Sequence, residues 1–168
     1  MKTYSGLITE LKDNQVFVFG SNLDGFHGGG AAGFASFGKS GNVWRDVRYD
    51  TWPKGKKGKW NVKGQGKGYQ EGTEGRSYAL PTVVHAGMPK SLSKDEIIAN
   101  IIKFYAYAAN HPEQEFLVAY TMRPNLNGYT SREMVQMFAC STPPSNVVFE
   151  QEFASYFPFD YETDIGEL

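Results

Sequence analysis

The chain has 168 residues, 19 of them glycine and one of them cysteine, and a formal net charge of −1. That length suits a single domain over residues 1–168, and a composition 40% apolar and 21% charged excludes a disordered chain. The lone Cys140 excludes an internal disulfide framework and fits a cytoplasmic protein, and no window approaches the ~20 apolar residues of a membrane span. The first eleven residues carry polar groups throughout and lack the apolar core of a signal peptide.

The small net charge conceals an asymmetry. Residues 39–76 hold ten basic and four acidic side chains, whereas residues 147–168 hold six acidic side chains and no basic one. A basic middle and an acidic tail, over about 150–168, therefore cancel in the total. Local charge says more about partners than the sum does.

In chain order, residues 15–20 (QVFVFG) form a β-branched and aromatic run that stops at glycine, the pattern of a buried strand. A loop follows, from Gly20 to Gly30, ending in the run Gly28, Gly29 and Gly30. Residues 31–37 are small and apolar and predict a helix. Residues 40–75 show no clean periodicity and contain eight glycines, six lysines and all three tryptophans. They read as an inserted Gly/Lys-rich excursion with a hairpin near residues 59–62, not as a domain, because they lack an aliphatic core.

Residues 77–84 (SYALPTVV) resume strand character, with Pro81 confining them to a strand end or an edge. Ser93 and Glu96 fit a capping box that opens a helix over 93–110. Its apolar stripe is Ile97, Ile101, Phe104 and Ala108, and Pro112 stops it. Residues 115–121 (EFLVAYT) predict a second buried strand. Thr130 and Glu133 form another capping box, ahead of a helix bearing Met134, Val135, Met137 and Phe138. A short strand over 146–149 and a helical turn over 152–157 close the pattern. Alternating strands and helices imply an α/β fold with a mostly parallel sheet covered on both faces.

Ligands of such sheets bind beyond the carboxyl ends of the strands. Two loops leave strands there, one over residues 20–30 and one over 122–129. Three glycines before a helix N-terminus expose backbone N–H groups and about half a positive charge, which suits phosphate or sugar; a tight turn needing positive φ is the alternative. Asn22 offers a donor and an acceptor to ribose hydroxyls, or closes the strand in an Asx turn. His27 is the candidate proton carrier, or a loop histidine that bonds its neighbours.

In the second loop, Arg123 presents a planar fork to a phosphate, or is a surface arginine. Tyr129 stacks on a sugar or base, or belongs to the core. The histidines are scattered and Cys140 has no thiol partner, so no metal site is expected. Lys54, Lys56, Lys57, Lys59, Lys63 and Lys67 interleave with Trp52, Trp60 and Tyr69. That mixture suits a nucleic-acid contact, or a solvated loop. Spacing assigns no acid–base pair.

The run VFVFGSNLDGFHGGGAAGFASFG resembles small bacterial and phage proteins with an FGSN-L-x-G-x-H-G-x-G-A-A type motif, which look like distant members of the macro-domain superfamily. GRSYALPT, FLVAYT with NLNGYTSREM, and FACSTPPSNVVF extend the similarity over about residues 15–149, the excursion excepted. The resemblance implies a three-layer α/β/α macro-domain-like fold that binds ADP-ribose or a related nucleotide, with no further cofactor. It implies that Asn22 contacts the distal ribose. Gly28, Gly29, Gly30 and Ala31 line that ribose and the pyrophosphate, with His27 beside them. Asn127, Gly128 and Tyr129 belong to the second phosphate loop, with Arg123 at its entrance.

The chain departs from the family pattern at several positions. Leu7 stands where macro domains often carry an aspartate that reads the adenine amino group, and Met122, Arg123 and Pro124 stand where they have glycines. Gly33 and Phe34 supply no acidic residue after the glycine run, and Glu71 lies far from it. The leading expectation is an ADP-ribose-binding domain. The alternatives are an ADP-ribosyl hydrolase in which His27 or Glu71 carries protons, and a nucleic-acid or protein adaptor using the basic excursion.

Overall fold

The computed structural model describes residues 1–25, 30–37, 67–72 and 74–158. Its strands are β1 (Thr3–Tyr4), β2 (Gln15–Asn22), β3 (Gly68–Glu71), β4 (Arg76–Val83), β5 (Glu115–Val118) and β6 (Val147–Glu150). The helices are α1 (Gly30–Phe37), α2 (Lys94–Ala109), α3 (Ser131–Phe138) and the short α4 (Gln151–Ser155). All six strands join one sheet in the order β1-β6-β5-β2-β4-β3. Every pairing is parallel except that of β3 with β4. The expected mostly parallel α/β sheet is therefore present. Among the described residues no helix is long and apolar enough to cross a membrane.

β2 is central, and its side chains alternate between two cores. Val16 and Val18 meet residues of α2, α3 and α4, including Ile97, Ile101, Phe138 and Phe153. Phe17 and Phe19 point the other way, to a smaller core with Ala35, Ala79, Phe34 of α1 and the segment bearing Ile8 and Leu11. Burial on both faces explains why the strand reads as a continuous apolar run.

Both capping boxes are formed. Ser93 Oγ accepts from the Glu96 N–H and the Ser93 N–H donates to the Glu96 carboxylate, at 3.1 and 3.0 Å. Thr130 and Glu133 repeat the arrangement at the same distances. The carboxyl end of α2 is closed by a distant residue: Asn146 Nδ2 donates to the carbonyls of Ala108, His111 and Gln114 at 2.8 to 3.0 Å. This closure joins α2 to the turn before β6.

Several boundaries differ from the sequence expectation. β2 continues through Ser21 to Asn22. β5 stops at Val118, because after Ala119, whose N–H donates to Val18, the chain turns Tyr120 inward. The last part of the excursion is the edge strand β3, held by Tyr69 stacked on Tyr107 at 5.4 Å. β1 is only two residues long, and the Tyr4 hydroxyl ties it to the Val118 carbonyl at 2.8 Å. Pro81 lies beyond Ala79, the last β4 residue to pair with β3, so the missing N–H breaks no ladder there. The proposed hairpin near 59–62, Lys54 to Lys63 and the tail from residue 159 lie outside the described residues.

Candidate functional site

β2 and β5 are parallel neighbours, yet the helices that follow them lie against different cores, α1 on one and α3 on the other. Their connections leave the sheet towards opposite faces at the carboxyl ends, and in parallel sheets the crevice that receives a ligand lies at such a switch point. The start of the first loop, through Gly25, and the second loop, both singled out from sequence, stand at these ends.

On the β2 side, Asn22 ends the strand and is only 5% exposed. Opposite Ser21 and Asn22 the register skips one residue of β4, Thr82, which remains buried. The Leu23 N–H donates to the Val84 carbonyl at 3.0 Å, and Asp24 meets His85 Nδ1 at 2.5 Å. These contacts pin the start of the first loop to the end of β4. Gly25 turns the chain with φ 73°. α1 then starts at Gly30, with Ala31 half-buried against the smaller core. His27, Gly28 and Gly29 lie outside the described residues.

On the β5 side, the second loop is tightly held. Asn127 is buried, and its side-chain oxygen accepts from the Tyr129 N–H at 2.9 Å. Its main-chain carbonyl accepts from the Lys90 N–H at 2.6 Å. Gly128 has φ 88°, and a Cβ there would stand 2.8 Å from Pro89 Cβ, so both backbone and space demand glycine. Tyr129 is a core residue, its hydroxyl donating to the Leu92 carbonyl at 2.8 Å, with Lys90 and Lys94 near its ring. The side chain of Arg123 is exposed; its main-chain carbonyl accepts from the Ser131 hydroxyl at 2.7 Å. An open hollow of about 510 Å³ lies along this loop, lined by Met122, Pro124, Asn125, Thr130 and Arg132 among others.

The floor of the crevice contains a residue that sequence reasoning missed. Tyr120 is buried, and its hydroxyl bonds Thr82 and Asn127. Burial pushes this hydroxyl up to about 12, against the pull of those two hydrogen bonds. It stays protonated across the physiological range. The signal for it was faint: one tyrosine after a strand, with a glycine at the matching height of β2.

Glu71 is not near this crevice. It pairs with Arg76, the first residue of β4, at the opposite end of the sheet from Asn22. Tyr69 donates to its carboxylate at 3.2 Å. A separate hollow of about 300 Å³ lies at that end, among Leu11, Lys12, Asp13, Glu71, Glu74 and Arg76. Among the described residues no group of three His, Cys, Asp or Glu side chains is placed to hold a metal ion.

Comparison with protein-family models, with curated proteins and with solved structures finds no match.

Proposed function

We propose that the crevice at the carboxyl ends of β2 and β5 binds ADP-ribose or a related nucleoside diphosphate, in a three-layer macro-like fold. The observation that carries this reading is the divergence of the connections that leave two adjacent parallel strands, with Asn22 at the end of one strand and the Asn127–Gly128 turn beyond the other. Diphosphate ligands suit that position because strand-end loops and a helix N-terminus supply fixed backbone donors and partial positive charge. In this reading the first N–H groups of α1, at Gly30 and Ala31, take one phosphate. Arg123 contributes a charged fork to the diphosphate, and Asn22 meets a ribose. Gly128 keeps the second loop low enough for the ligand to approach. Leu7 is 77% exposed and carries no acceptor for an adenine amino group, so ribose and diphosphate dominate recognition.

Calorimetric titration with ADP-ribose, ADP and NAD tests the reading. One-to-one, saturable heat is expected from ADP-ribose. Arg123→Ala should weaken it about tenfold, the usual cost of one charge-assisted hydrogen bond, without moving the thermal midpoint. An absence of heat and of any thermal shift with all three compounds overturns it.

A further inference from the structure

Four residues from four parts of the chain meet beneath the crevice: Gly20 of β2, Thr82 of β4, Tyr120 after β5 and Asn127 of the second loop. A Cβ on Gly20 would stand 2.4 Å from Tyr120 Oη and 3.5 Å from Thr82 Oγ1. The tyrosine hydroxyl therefore rests on the bare backbone of β2. Its ring cannot retreat, because Phe138 and Phe153 pack on it with centroids 5.4 and 6.4 Å away. The hydroxyl bonds Thr82 and Asn127, and Asn127 holds Tyr129 through its side chain and Lys90 through its main chain. The hydrogen bonds thus run from the end of β4 through Tyr120 to the second loop and, at Lys90, to the connection between β4 and α2.

Packing alone does not account for this oxygen. Neighbouring core positions of similar burial are phenylalanines 138, 149 and 153. A buried hydroxyl is costly unless its bonds are made, and here it also requires a glycine opposite. What the hydroxyl adds over a phenylalanine is the connection to Thr82 and Asn127.

We infer that Tyr120 is a positioning residue: its hydroxyl, seated on Gly20 and bonded to Thr82 and Asn127, sets the height of the second loop above the end of β2 and thereby the geometry in which the crevice receives a phosphate. The ligand half of this inference rests on the reading of the crevice as a nucleotide site; the loop half does not.

Amide hydrogen exchange on the ligand-free protein, paired with ADP-ribose titration, tests it with Tyr120→Phe, Thr82→Val and a control, Tyr105→Phe. Tyr105 is also buried, and its hydroxyl donates to the Phe138 carbonyl in α3 and not to Thr82 or Asn127. Relative to the amides of α2, exchange at Lys90 and Tyr129 should accelerate about tenfold in Tyr120→Phe, less in Thr82→Val, and not in the control. ADP-ribose affinity should fall about tenfold in Tyr120→Phe and stay at the wild-type value in the control. Loop amides in Tyr120→Phe that exchange as in the wild type, or that change equally in the control, overturn the inference. A wild-type protein that takes up no ADP-ribose overturns the reading of the crevice, and the exchange measurement still decides the role of Tyr120.

Discussion

Individual residues in this chain are constrained mainly by what stands opposite them in space. Gly20 ends an apolar run in the sequence, where its absence of a side chain reads as a stop. In the fold it is an interior strand residue, and glycine is required because Tyr120 Oη occupies the space of its Cβ. Gly20→Ala should therefore cost about 1–3 kcal/mol, the range for overpacking a rigid interior. Denaturant unfolding measures the loss. In the Tyr120→Phe background the same substitution should cost clearly less, because the nearest remaining ring atom is 3.3 Å away. Equal costs in the two backgrounds would show that the hydroxyl is not the obstacle. Tyr129 illustrates the converse. Its sequence position allowed a stacking platform or a core residue, and the hydrogen bond to Leu92 and deep burial select the core.

At the scale of elements, local chemistry was enough where α2 and α3 begin. Both capping boxes were recognisable from four residues each, because the bonds they make close within one turn. Thr130→Ala should destabilise the protein by about 1 kcal/mol in thermal or denaturant unfolding. Glu133 is held at about 2, below its ordinary 4.5, first by the Lys94 ammonium at 2.7 Å and then by the Thr130 backbone. A carboxylate depressed in the folded state contributes stability above its unfolded value and loses that contribution as pH falls from about 4.5 towards 2. The thermal midpoint should fall across that window, and Glu133→Gln should flatten the fall while retaining the cap. An identical pH profile for the variant would rule the pair out as a contributor. Strands β1 and β3 escaped the sequence reading for a shared reason. Neither carries an apolar run (Thr3–Tyr4 and GYQE), and each exists because a neighbour pairs with it: β6 with Thr3 and Tyr4, β4 with residues 68–71.

Across the whole molecule, tyrosines tie the sheet to its helices, and their burial has a consequence in alkali. Tyr4 and Tyr78 lie above the ordinary value of 10, and Tyr107 and Tyr120 are pushed up to about 12, in every case chiefly by burial. A group raised in the folded state contributes full stability below its unfolded value and loses it as pH rises through the folded one. Stability should hold to about pH 10 and then fall steadily towards 12, followed by circular dichroism together with tyrosinate absorbance. Tyr120→Phe should make that fall shallower. Unchanged stability between pH 9 and 12 would contradict this account of burial.

Hydrophobic runs and caps, which depend on residues within a few positions of each other, determined the central strand, the two capped helices and the α/β alternation from the amino-acid order alone. The same order placed both loops at strand ends, because strand–loop–helix succession is local. Strand order, the edge strand β3 and the removal of Glu71 to the far end of the sheet were decided only by tertiary pairing. So was the meeting of Gly20, Thr82, Tyr120 and Asn127, residues up to about a hundred positions apart. A glycine can record in sequence that something approaches it, but the hydroxyl that does so is specified by how β2, β4 and β5 lie side by side.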